Sequence, residues 1–253
     1  MDNRFGPDFS SHKGPRREGA DTSGRLSDPA GPATAHSPAF LVGFAAEASI
    51  ARRCGCPVGI GGGTSDGAAH AVRRLIDAGA IGVVSFGLAG GLDPALAAGT
   101  LVVADAVTAG GGLWRTDSEL SARLGGMTGQ LCLGLDRIVV SRAEKQRLGR
   151  ETGASLVDME SGAVAAVAGA AGVPFAVLRA ICDPAERTLP PAALVALDDA
   201  GRLAPARLAW SVLTHPGQVM ALIALARDAA AARRSLRSRV DRIAPNGHFV
   251  GIL

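Results

Sequence analysis

The chain has 253 residues, enough for one large domain, and 47% of them are hydrophobic, enough for a sizeable core. A net charge of +3 and 4% aromatic residues, with no Tyr, argue against a nucleic-acid groove or a base-stacking platform. The four cysteines, Cys54, Cys56, Cys132 and Cys182, lack the two spaced pairs of a zinc framework, and they read as reduced, mostly buried thiols.

Residues 1 to about 38 are rich in Gly, Pro, Ser, Asp and Arg and show almost no apolar periodicity. Such a segment cannot bury enough surface to offset its ordering entropy, so it reads as a disordered tail or an over-extended start. That removes His12 and His36 as catalytic candidates. No apolar run has transmembrane length, and the first residues lack the apolar centre of a secretory signal. A cytoplasmic protein is expected, with peripheral contact at the inner membrane surface at most.

From Ala39 onward short apolar runs alternate with helical patterns. Phe40–Phe44 and Val58–Ile60 read as strands. Ser65–Ala78 reads as a helix, with Ala68, Val72, Leu75, Ile76 and Gly79 at helical spacing. Ile81–Phe86 is a buried strand, and GLAGGL after it reads as a Gly-rich turn. Strands are expected at Leu101–Val107 and Asp136–Val140, then a charged helix over 143–150 and a short strand at Leu156–Asp158. A small-residue helix follows at Ser161–Ala171, then a long inner strand at Pro174–Cys182. Continuous apolar strands between helices imply a sheet covered on both faces. Residues 39–242 form the expected catalytic domain and 243–253 a C-terminal tail.

The stretch from Ala204 to Val240 is helical in composition, with Val219, Leu222, Ile223, Ala226 and Ala230 on one apolar stripe. Between Arg227 and Arg242 lie six Arg and two Asp, a local balance of +4. Such a run is a solvated face or a basic amphipathic element for anionic lipid.

Three acidic residues stand at or just beyond strand ends, where α/β sheets build ligand sites: Glu47, Glu160 and Asp183. Taken alone, such a residue is more often a helix N-cap or first-turn charge than a catalytic group. His70 and His215 read as structural, because no nucleophile elbow accompanies them. Trp114 and Trp210 read as packing or pocket-lining residues.

At these acids the wording resembles a known family. VDMESGAVA (Val157 to Ala165) is similar to the ribose-binding signature of the purine nucleoside phosphorylase and nucleosidase superfamily. FAVLRAICDPAER resembles that family's base-site strand, and SFGLAGGL its nucleophile-side loop. The resemblance runs in matching order over about residues 39 to 190. It implies a three-layer α/β sandwich around a mixed central sheet, a homodimer, and cleavage of a purine N-ribosidic bond with no metal or organic cofactor. Asp183 would assist the departing base as general acid and Glu160 would hold the ribose hydroxyls. Met159, Gly87 and Leu88 would line the substrate, and Ile138 with Val139 of LDRIVVS would form the purine wall.

Glu47 bears on the nucleophile. In the methylthioadenosine/adenosylhomocysteine nucleosidases a Glu after the first strand activates water, whereas the phosphorylases place a phosphate-binding Arg there. Glu47, Ser85 and Leu88 therefore favour water. Phosphate remains a candidate co-substrate, through an anion site made by Gly61–Gly63 with Arg52 or Arg179. Finer wording, LDRIVVS and RAICDPAERTLPPAALVALDDAGR, resembles the hopanoid-associated phosphorylase branch, which implies adenosylhopane as substrate. The small nucleosides methylthioadenosine and adenosylhomocysteine are the alternative, and a non-catalytic nucleoside-binding scaffold is the rival of another class.

Overall fold

The computed structural model describes residues 37–191 and 216–249. The tail reading for the first 36 residues, His12, His36, Trp210, His215 and the segment 192–215 lie outside the described residues.

The elements in chain order are β1 (Ala39–Val42), α1 (Ala45–Ala51), β2 (Val58–Ile60), α2 (Ser65–Asp77), β3 (Val83–Gly91), β4 (Leu101–Val103), β5 (Ala106–Ala109), β6 (Gly112–Arg115), α3 (Ser118–Arg123), β7 (Leu131–Gly134), α4 (Arg142–Thr152), β8 (Leu156–Asp158), α5 (Ser161–Ala170), β9 (Phe175–Asp183) and α6 (Val219–Ile243). One mixed sheet runs β2-β1-β3-β8-β7-β5-β6, and β9 pairs with β3 and β4. The expected α/β sandwich around a mixed sheet is what the chain forms.

The inner strands bury both faces, and side-chain alternation assigns the two cores. Phe40, Val42, Val84, Phe86, Ala176 and Leu178 point to one face, where α1 supplies Ala48, Ile50 and Ala51 and α6 supplies Ala232, Leu236 and Val240. Leu41, Val83, Val177 and Ile181 point to the other, against Ala68, Ala71 and Val72 of α2 and Val164, Ala165 and Ala168 of α5. Phe40 stacks edge-on to both Phe86 and Phe249, with ring centroids 5.7 Å apart in each pair. A smaller cluster under α4 holds Leu92, Leu133, Val139, Leu148, Ala154 and Val157.

Several sequence expectations are corrected. GLAGGL is not a turn: β3 continues through it to Gly91. Pairing with β9 extends over Val83–Gly90, and β8 takes Gly90 and Gly91, so cross-strand bonds override the low strand propensity of glycine. Asp136–Val140 is not a strand but a loop, and the strand lies earlier, at β7. The run expected over Leu101–Val107 is divided between β4 and β5, which pair with different partners. The sequence reading assigned nothing to β6 or to α3, whose N-cap Asp117 accepts from Leu120 N at 2.7 Å. On α6 the core face is Ala232, Leu236 and Val240, while Ile223 of the expected stripe is exposed.

Candidate active site

The site grows from a gap in the sheet. Along one edge of β3, β1 pairs with Val83–Ser85 and β8 with Gly90–Gly91. Among the described residues Phe86–Ala89 have no strand partner on that edge, because β9 occupies the other. An unpaired backbone N–H inside a sheet needs an acceptor. Glu47, in the first turn of α1, provides it: its Oε1 accepts from Leu88 N at 2.8 Å. Its Oε2 accepts from Gly43 N at 3.0 Å and Phe44 N at 2.9 Å, which caps α1 and fixes the carboxylate across the gap. Both oxygens are thereby oriented, and Oε1 keeps a lone pair for a further donor.

Glu160 enters the same gap from the end of β8. A Cβ placed on Gly43 would lie 2.7 Å from Glu160 Oε1 and 3.2 Å from Glu47 Oε2, so only glycine fits between the two carboxylates. At Gly87, φ is +152° and a Cβ would come within 2.5 Å of Glu47 Oε1, which excludes a side chain there twice over. The SFGLAGGL glycines are therefore places where carboxylates meet backbone.

Beneath the acids lies Arg179 of β9, 1% exposed. Its Nε is 2.7 Å from Asp158 Oδ2, off the hydrogen-bond direction. Its Nη2 reaches Ser85 Oγ at 2.7 Å, Glu160 Oε2 at 3.1 Å and Ser161 Oγ at 3.4 Å, and Nη1 donates to Leu88 O at 3.3 Å. Asp158 is held in turn, its Oδ1 accepting from Glu160 N and Ser161 N at the start of α5 and its Oδ2 from the Ser161 hydroxyl. Burial pushes Glu160 up to about 7; Arg179 opposes that rise, and the charges of Asp158 and Glu47 add to it.

Asp183 closes β9, opposite Gly90 in β3, while Arg179 stands opposite Gly87. Gly87 and Gly90 are three residues apart, a rise of about 10 Å along β3, comparable to the length of a nucleoside. Burial raises the Asp183 carboxyl above the usual range, against hydrogen bonding and charge from Lys145. Its Oδ2 is 2.6 Å from Lys145 Nζ, and its Oδ1 is buried with no hydrogen-bond partner among the described residues. A buried carboxylate oxygen in that condition wants a donor.

A protein-family model described as Phosphorylase superfamily matches residues 130–213. A futalosine hydrolase of Helicobacter pylori superposes with a TM-score of 0.59 at 19% identity, over 82% of this chain and 98% of that one. A mutant H. pylori MTAN with 5′-methylthioadenosine in the active site gives 0.58 at 20%, over 81% and 98%. A methylthioadenosine/adenosylhomocysteine nucleosidase from Neisseria meningitidis, in complex with methylthio-immucillin-A, gives 0.54 at 18%, over 80% and 99%. The fold is the nucleosidase fold. No curated protein matches the chain.

The nucleosidase-like frame brings Glu47, Glu160, Gly87 and Leu88 together at the gap. Met159 is half-buried beside them, its carbonyl accepting from Ser65 Oγ at 3.3 Å. Ile138 is 46% exposed on its loop, whereas the Val139 side chain packs into the cluster under α4, so only its backbone can face a ligand. The candidate anion site is not assembled: Arg52 is exposed, and Arg179 is committed to protein acceptors. His70 is exposed on α2, with Nδ1 2.8 Å from Asp66 O, and Trp114 packs over Gly169.

Sequence reasoning missed Lys145 and the structural part of Asp158. The signal for Lys145 was available, since it shares a helix face with Leu148 in an otherwise charged helix. For Asp158 the signal was the D-x-E-S order at a helix start.

No helix among the described residues is long and apolar enough to cross a membrane.

Proposed function

We propose that this chain belongs to the phosphorylase superfamily and hydrolyses the N-ribosidic bond of a 5′-modified adenosine. The observation that carries the reading is the gap in the sheet, where Glu47 and Glu160 face each other over Gly43 while Arg179 is ion-paired with Asp158 and Glu160 beneath them. Among the described residues, a dianion placed there meets carboxylates without a free cation to offset them, which disfavours phosphate and favours water. Water on Oε1 of Glu47 gives up a proton as it attacks C1′. Glu160 accepts from the ribose hydroxyls and stabilises the positive charge that develops on the sugar. The C1′–N9 electrons go to the purine, which takes a proton at N7 from Asp183.

The 5′ substituent divides two readings. The comparison structures that hold methylthioadenosine or its analogues favour a small alkylthio group. The hopanoid-like wording favours adenosylhopane, although its residues 192–202 lie outside the described residues.

Product analysis with and without phosphate tests both parts. Adenine and free 5-methylthioribose should appear from methylthioadenosine in phosphate-free buffer; strict phosphate dependence with a 5-methylthioribose 1-phosphate product would reverse the reading of the nucleophile. If the lipid-linked substrate is the natural one, deleting the gene in a hopanoid-producing host should make adenosylhopane accumulate, and unchanged hopanoids would leave the small nucleosides.

A further inference from the structure

Lys145 has no solvent exposure, although α4 is otherwise a charged helix. Its ammonium nitrogen lies 2.6 Å from Asp183 Oδ2, 3.0 Å from Arg187 O, 3.1 Å from Pro184 O and 3.4 Å from Asp183 O. The three nearest oxygens match the three protons of an ammonium group. All four acceptors come from residues 183–187, the turn that follows β9. One side chain therefore sets both the path of that turn and the rotamer of the acid at its start. With Oδ2 taken, Oδ1 is the carboxylate oxygen left without a partner among the described residues, and it is buried. Neither oxygen is tied by another side chain among the described residues, so without Lys145 the carboxyl could rotate and present either.

We propose that Lys145 is a positioning residue for the leaving-group acid, pinning Oδ2 and the 183–187 turn so that Oδ1 alone carries the proton to N7. This rests on the reading above, in which Asp183 serves the base. As the C1′–N9 bond breaks, its electron pair enters the purine, the Oδ1–H bond breaks and N7–H forms. Asp183 is left as a carboxylate facing the Lys145 ammonium, which stabilises it. The other groups that face Asp183 are fewer. Arg187 of the turn is paired with Asp228 of α6, and the neighbouring Cys182 thiol is held up to about 12 by burial. Lys145 is the charge in direct contact.

The test compares two leaving groups. Adenine departs from 5′-methylthioadenosine with a proton, whereas p-nitrophenolate departs from p-nitrophenyl β-D-ribofuranoside without one. Lys145→Met should lower kcat on methylthioadenosine by about 10²-fold, and on the nitrophenyl riboside by less than about 3-fold, because only the first needs the acid. The alkaline limb of its kcat profile should move to higher pH, since a neighbouring cation that favours the carboxylate is gone. Lys145→Arg should recover part of the loss, and Lys145→Met added to Asp183→Asn should cost little more. Equal losses on both substrates, losses that add, or more than half of the parent kcat in Lys145→Met would overturn the proposal. If the parent releases no adenine, the reaction reading has failed. A ¹³C NMR titration of the Asp183 carboxyl, assigned by its absence in Asp183→Asn, then decides for Lys145. Asp183 should ionise at higher pH in Lys145→Met, and an unchanged titration would refute the contact's role. Should Lys145→Met not fold, Lys145→Arg carries both comparisons: its guanidinium cannot sit among the same oxygens, so kcat should fall on methylthioadenosine alone.

Discussion

Glu160 and Asp183 are both carboxylates that burial holds above the ordinary range, but their neighbours differ. Asp183 faces an ammonium group and keeps one oxygen free, an arrangement suited to giving up a proton. Asp183→Asn retains an oxygen that can accept from Lys145, so activity should suffer far more than folding. A fall in kcat by the ~10²–10⁴ of general acid catalysis is expected, and a variant keeping half of the parent kcat would remove Asp183 from the chemistry. Glu160 also makes a statement about stability. Its value of about 7 lies above the ordinary 4.5. The folded protein therefore holds a proton that the unfolded chain has lost across that window. Stability from this group is present below pH 4.5 and declines as pH rises through about 7. Glu160→Gln should accordingly gain in Tm relative to the parent between pH 5 and pH 8, and thermal melts showing a pH-independent difference would contradict the assignment. The same group predicts an acid limb near pH 7 in kcat/KM, which reports the free enzyme.

At the scale of elements, α6 and β3 were the least well read from sequence, for different reasons. The stripe on α6 was traced through Val219–Ala230, but the sheet is met one helical repeat later, by Ala232, Leu236 and Val240. Periodicity identifies a face and says little about which turns of a long helix find a partner. Leu236 is fully buried against β-strand side chains, so Leu236→Ala should cost about 2–5 kcal/mol in denaturant unfolding, whereas Ile223→Ala, at an exposed position, should cost far less. Equal costs would mean that α6 docks by its N-terminal half. For β3, glycines that locally signal a turn were strand residues, because Glu47, Arg179, Val157 and the backbone of Ala185 press against them.

For the whole molecule, the sign of the charge distribution matters more than its sum. The acidic pair is enclosed in the sheet, while Arg227, Arg234 and Arg237 are exposed on α6. Arg239, by contrast, donates to Leu124 O, and Arg53 pairs with Asp241, so part of the basic run is structural. If the substrate is lipid-linked, changing Arg227, Arg234 and Arg237 to Gln should weaken binding to anionic liposomes by up to about 1 kcal/mol per residue, in a salt-sensitive way, and leave turnover of methylthioadenosine unchanged. Liposome binding that ignores these three residues would detach α6 from any membrane role.

The sequence alone determined the order of most strands and helices around the site, though not β6, α3 or the place of β7, because apolar runs and helical spacing are local properties. It also marked the acids Glu47, Glu160 and Asp183, because strand ends and short motifs survive when overall identity is low. Tertiary structure decided the rest. That β1 and β8 share one edge of β3 and leave Leu88 N–H for Glu47 is a matter of register between segments distant in the chain, Leu41 with Ser85 and Gly90 with Val157. That Arg179 lies beneath carboxylates instead of binding an anion, and that Lys145 reaches Asp183, are long-range contacts as well. Buried charges must find partners wherever the fold brings them, and no local pattern names those partners in advance.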